Sequence, residues 1–250
     1  SGLEIRADDP LGNLHRAAVF EQRYQLAKLD QPIDRAEWEM TPQTVNAYHQ
    51  PFMNEIVFPA GYLQPPNFNI DADPAVNYGA IGYTIGHEIG HAFDDKGRAF
   101  DPYGKLNDWW TAEDAAHFEQ AAAKLVEQYN AFSPLPGMSI NGKLTLGENI
   151  ADLTGITIAW RAYQASLDGR EPPVIDGFTG AQRFFIGFAQ AERAKMRDEL
   201  LRSLLVSDPH SPSEFRVIGV LRNFTPFYEA FGVKEGDGMY LAPDQRVKIW

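Results

Sequence analysis

Apolar and polar positions along this chain alternate at helical spacing over most of its length, with short stretches of strand-like pattern near the beginning. Asp9-Pro10 offers an N-cap followed by proline in the first turn, so a helix is expected from there to about Leu29, stopped before Pro32. Residues 43–48 and 54–58 read as short strands, surrounded by irregular chain at Pro59 and at Pro65-Pro66. Asp73-Pro74 opens a second helix, expected to reach about Lys96 and end at Gly97. A third begins near Thr111, with Asp114 in capping-box position, and reaches about Phe132. A fourth is expected from Gly147 to Leu167, closed by Gly169 and Pro172-Pro173, and a fifth over about 181–206. After Ser207 the pattern is irregular, with one further short helix near 216–231. The expected fold is mainly α with a small sheet, an α+β class, in one domain over 1–250.

Composition narrows the function classes. The chain has 250 residues, 44% hydrophobic and 22% charged, which is ordinary globular usage. A formal charge of -12 argues against nucleic acid and anionic membrane, since both require clustered Lys and Arg. No apolar run is long enough to span a bilayer. No signal peptide opens the chain, and Ser1-Gly2 reads as a remnant of tag removal that could have replaced one. Cysteine is absent, so a metal would have to sit on His, Asp and Glu.

That last restriction gives weight to His87-Glu88-Ile89-Gly90-His91. On a helix, residues four apart share a face, so two imidazoles can converge on one Zn²⁺ while the glutamate between them reaches a metal-bound water. The same helix carries Gly79, Gly82, Gly86 and Gly90, a stripe that implies close packing against another backbone. The plainer alternative is a buried helix with two incidental histidines. A catalytic zinc site needs a third protein ligand and an open position. Glu148 can supply it, and Asp152, four residues on, can accept the N–H of a ligating imidazole. Thr145-x-x-Glu148 is equally a capping box, which would give Glu148 a purely structural role. Asp94, just past His91, is a second candidate for orienting an imidazole.

Taken together, VNAYHQP at 45–51, NEIVFPAGYLQPP at 54–66, GHEIGHAFDDKGR at 86–98, GENIADLTG at 147–155 and HSPSEFRVIGVLRN at 210–223 resemble the neprilysin and endothelin-converting-enzyme family of zinc metallopeptidases, including bacterial oligopeptidases; the closing Trp250 also fits. The resemblance implies a thermolysin-like domain with one zinc on His87, His91 and Glu148, Glu88 as general base, and Asp94 and Asp152 orienting the histidines. It further implies that Asn46 and Ala47 hold a peptide substrate by strand addition, that His210 stabilises the oxyanion and that Arg216 binds a substrate carbonyl. The implied activity is endopeptidase cleavage on the amino side of large apolar residues. His49, Tyr62 and Asn67 depart from the family pattern beside the substrate strand. Family members are normally much longer, so the chain is expected to be the C-terminal catalytic part, with a helical capping domain as its missing partner. The expected setting is the periplasm or surface of a bacterium, with the cytoplasm as alternative. Two rival readings are a zinc-stabilised binding module without catalysis and a hydrolase acting on a non-peptide substrate.

Overall fold

Asp9 does cap the first helix: its carboxylate accepts from the Gly12 N–H at 2.9 Å, and Pro10 occupies the first turn of α1, Pro10–Ala27. The computed structural model describes residues 2–249, so Trp250 and Ser1 lie outside the described residues. The chain separates into two compact units, Ser1–Glu39 and Met40–Trp250. The first consists of α1 and the loop after it, where Lys28 pairs with Glu37 at 2.5 Å. No residue of α1 is buried, so the helix has no core of its own.

The second unit begins with a two-stranded antiparallel sheet, β1 (Tyr48–Gln50) and β2 (Glu55–Val57), paired Tyr48↔Val57, His49↔Ile56 and Gln50↔Glu55. Both strands are shorter than expected, and 43–47 is not strand. There the backbone is spent on a turn: the Thr44 N–H donates to the Thr41 carbonyl, and the Gly61 N–H to the Pro42 carbonyl.

The expected helix from Asp73 forms, but in pieces: α2 (Pro74–Asn77), a π-helical stretch Tyr78–Gly82, α3 (Tyr83–Gly90) and a 3₁₀ turn His91–Phe93. It stops short of Lys96 because Asp94 is extended, at φ -72° and ψ -171°, and its carboxylate accepts from the Lys96 and Gly97 N–H groups. Next come α4 (Ala112–Asn130), capped by Thr111, and α5 (Leu146–Leu167). The remainder is α6 (Gly180–Ala191), α7 (Asp198–Ser207), α8 (Ser213–Leu221) and α9 (Thr225–Phe231).

Two expected helices are each two. The 181–206 stretch breaks at Glu192, although its residues are good helix formers. Arg193 N–H donates to Gln190 O in a tightened last turn, and the chain is extended again at Arg197. Propensity is overridden here by tertiary placement, because the turn puts the Glu192 side chain in the central cleft. The second break, between α8 and α9, has Pro226 in the first turn of α9. It also has Asn223, whose side chain donates to Gly219 O and accepts from Val247 N–H.

α3 packs lengthwise on α5, and both helix backbones approach closely. A Cβ on Gly86 would come within 2.7 Å of the Gly155 carbonyl oxygen, and one on Gly155 within 2.8 Å of the His87 nitrogen. No side chain fits there, which accounts for most of the glycine stripe. Gly82 is the exception, with only ordinary contacts around a Cβ. Behind this pair lies the core, where Tyr83, Leu125, Ile150, Ile156, Phe184 and Phe188 are almost wholly buried.

Candidate metal centre

Close packing of α3 on α5 fixes what their side chains meet. His87 and His91, one turn apart on α3, have ring centroids 4.5 Å apart and Nε2 atoms 3.0 Å apart. Each ring is held from behind by a carboxylate: His87 Nδ1 is 2.7 Å from Asp152 Oδ1, and His91 Nδ1 is 2.7 Å from Asp94 Oδ2. An Nδ1 facing a carboxylate carries the proton, so a neutral ring presents a lone pair at Nε2. Between those two lone pairs α5 inserts a third acceptor. Glu148 Oε2 lies 3.3 Å from His87 Nε2 and 3.5 Å from His91 Nε2. It is buried, and neither nitrogen is aligned with it as a hydrogen-bond donor.

Three acceptor atoms facing one another at 3.0–3.5 Å require something positive among them. Burial works against charge on His91, but the Asp94 carboxylate and then that of Glu148 outweigh it and push the imidazole up to about 10. His87 is raised in the same way, burial being overcome by Asp152 and Glu148. Glu148 is held well below the usual carboxylate range, since the two histidines outweigh the cost of burying it.

The capping-box alternative for Glu148 does not form. Thr145 makes no side-chain cap, and its Oγ1 instead accepts from Asn149 Nδ2 at 2.9 Å. Asn149 Oδ1 in turn accepts from Ser211 Oγ at 2.8 Å, tying α5 to the loop that bears His210.

Glu88 adjoins the pair without joining it. His87, Glu88 and His91 each offer a ligand atom within 4.8 Å of the others, so Glu88 is the competing third ligand. Glu148 is the better placed, because its Oε2 is at most 3.5 Å from both nitrogens. Glu88 is only 5% exposed and takes no hydrogen bond from the described residues. Burial pushes its pKa up, only partly offset by the two histidines.

Asp152 is the most heavily used group. Its Oδ1 accepts from Tyr83 Oη at 2.5 Å, from His87 Nδ1 and from Arg216 Nη2, and its Oδ2 accepts from Arg216 Nε at 2.8 Å. Burial alone would raise it. The Arg216 guanidinium and His87 hold it well below the ordinary range. Arg216 therefore spends Nε and Nη2 on Asp152, and its Nη1 is bonded by none of the described residues. His210 points Nε2 at Glu148 Oε2 from 3.3 Å, while its Nδ1 is 2.8 Å from Asp208 Oδ1. With Nδ1–H given to Asp208, His210 donates from Nε2 only as imidazolium. Asn46 and Ala47 sit just before β1 and, with Tyr62, Thr84, Glu192 and Arg216, line a cleft of about 370 Å³ over these groups.

Thus every candidate from the sequence reaches one site. Sequence reasoning missed Tyr83, Asp208 and Glu192. Tyr83 carries a usable signal, since it precedes His87 by one turn on the same helix face. Asp208 also carries one, as a carboxylate two residues before a candidate histidine. Glu192 carries none, because nothing in its surroundings announces that the helix ends there.

Comparison with known proteins agrees with this picture. The model of peptidase family M13 matches residues 46–247. Neprilysin-3 of Drosophila melanogaster is 41% identical over 252 residues, covering 99% of this chain and 32% of that protein. Human neprilysin is 41% identical over 254 residues, covering 99% and 34%. A solved zinc metalloprotease of Mycobacterium tuberculosis in complex with inhibitor superposes with a TM-score of 0.97 at 53% identity, covering 99% of this chain and 39% of that one. The chain spans about a third of the length of the curated relatives it matches.

Proposed function

The chain belongs to peptidase family M13, and from that premise we propose that it is the zinc-bearing catalytic part of an endopeptidase that cleaves oligopeptides. The observation that carries this reading is the convergence of His87 Nε2, His91 Nε2 and Glu148 Oε2. Donors on a tetrahedral Zn²⁺ at about 2.0–2.1 Å stand about 3.3–3.4 Å apart, close to the 3.0–3.5 Å found here. An all-nitrogen-and-oxygen set without thiolate, open on the cleft side, fits a catalytic zinc. One zinc per chain is expected, held by those three residues. When bound, zinc supplies a Lewis acid that acidifies water and polarises a carbonyl.

The rest of the chemistry falls to this chain's own side chains. Glu88, buried and without a hydrogen-bond partner among the described residues, takes a proton from the attacking water and delivers it to the leaving amine. Its raised pKa helps it to hold that proton between the two transfers. His210 donates from Nε2 to the oxyanion. Arg216 has Nη1 left for a substrate carbonyl while Asp152 locks its orientation. Asn46 and Ala47 offer backbone to an extended peptide, in the manner of strand addition. Glu88 also weighs against a binding module, which has no use for a buried carboxylate beside the metal.

The finer points rest on the family resemblance: cleavage on the amino side of large apolar residues, and a helical cap from the remainder of a longer protein. No helix among the described residues is long and apolar enough to cross a membrane.

The test is a digest of a mixed oligopeptide library by the full-length protein, read by mass spectrometry. Cuts at internal peptide bonds, abolished by a chelator and restored by zinc, are expected. Cleavage indifferent to the chelator would remove the metal from the reaction and the proposal with it.

A further inference from the structure

The proposed mechanism leaves the largely buried carboxylate of Glu192 in the cleft unused. Glu192 ends α6 and lies at the Arg216 end of the cleft, with Tyr62 and Thr84 also in the lining. Its side chain is 14% exposed, and its nearest charged partner, Arg216 Nε, is 3.9 Å away. That nitrogen already donates to Asp152 at 2.8 Å, and Nη2 of the same guanidinium also donates to Asp152. The Arg216 charge is thus neutralised by a two-point pair with Asp152, and the Glu192 carboxylate is a surplus negative charge. No described residue hydrogen-bonds to it. Tyr62, in the same lining, shares a hydrogen bond with Thr84, 3.1 Å away. A largely buried carboxylate without a close donor is costly unless something else supplies one.

We propose that Glu192 is a specificity-determining residue that receives the cationic head of a peptide lysine or arginine next to the scissile bond, with the aliphatic stem lying against Tyr62. This rests on the peptidase reading and refines its expected preference for large apolar residues: the pocket takes a long apolar stem, and its far wall asks for a positive charge. Lys and Arg satisfy both, because their stems are apolar and only their tips are charged. Burial pushes Glu192 up more than Arg216 pulls it down, so an arriving cation is what favours its ionised form. An acidic side chain at that position is rejected.

Two measurements on the zinc-loaded full-length protein test this. The first compares kcat/KM for matched peptides differing only at the residue flanking the cut, lysine against norleucine, which keeps the stem and drops the charge. The wild type should favour lysine by about tenfold or more, the size expected of one charge-assisted contact. Glu192→Gln should bring the ratio near one, and Glu192→Asp should keep its direction. The second measures binding of the same peptides by fluorescence anisotropy in the Glu88→Gln background, where turnover does not intervene. Tighter lysine binding that disappears on adding Glu192→Gln supports the assignment even if no peptide is ever cut, an outcome that would sink only the peptidase reading. Cleavage of both peptides at equal rates, or a lysine preference that survives Glu192→Gln, overturns the assignment and leaves the peptidase reading standing.

Discussion

Glu88→Gln should leave the protein folded and zinc-loaded while lowering kcat by at least about 10²-fold, the usual contribution of a general base. The side chain keeps its shape, and Glu88 is not among the three closest metal-facing atoms. What disappears is the capacity to take a proton. Stability separates this from structural damage. A carboxylate whose folded pKa is raised binds its proton more tightly in the folded state. Its contribution is therefore most favourable at low pH and is lost as pH rises through the folded value. The Gln variant, which keeps the size and shape of the side chain, should melt close to the wild-type temperature. A variant that melts much lower, or one that still cleaves near the wild-type rate, would contradict the role given to Glu88.

Asp152→Ala should damage both the fold and the metal site. Asp152 is fully buried and accepts from Arg216, His87 and Tyr83. Its removal breaks a buried pair, which typically costs about 3–5 kcal/mol, and leaves the Arg216 guanidinium, only 16% exposed, with Glu192 at 3.9 Å to offset part of that loss. It also frees the His87 ring to turn. Removing an orienting partner of this kind typically weakens metal binding about 10–100-fold. The pH dependence follows from the sign of the shift. The depressed folded pKa gives stability that is present above the ordinary aspartate range and lost as pH falls through the folded value. The variant should lack that acid-side decline. Replacing Asp152 and Arg216 together by Leu and Met should recover much of the stability but not the metal affinity. Denaturant titrations and zinc-competition assays on the single and double variants check both parts. A single variant with wild-type stability would show that Arg216 does not depend on Asp152.

Much of this centre is legible in the sequence because it depends on local spacing. His87 and His91 share a helix face by arithmetic, as do Glu148 and Asp152, and glycine at 86 signals the close approach of α5. What spacing does not decide is which of two local roles a residue takes. Thr145 and Glu148 satisfy the capping-box pattern, yet Thr145 is claimed by Asn149 and Glu148 faces the histidines. That Asp152 lies against the fork of Arg216, 64 residues away, is likewise not a matter of local spacing. The helix breaks are illegible for the same reason. Nothing local stops the chain at Glu192, and Asn223 interrupts the last helices by binding Val247, 24 residues away in sequence. The strand over 43–48 looked longer than it is because the turn at 41–44 competes for its backbone groups.

The ligand assignment is the central claim, and metal content decides it most directly. Zinc per chain should be measured by mass spectrometry on dialysed wild type and on His87→Ala, His91→Ala, Glu148→Gln and Glu88→Gln. About one zinc is predicted in the wild type and in Glu88→Gln, with loss of stoichiometric zinc in the other three. Glu148→Gln that keeps its zinc while Glu88→Gln loses it would make Glu88 the third ligand and contradict this account of the site.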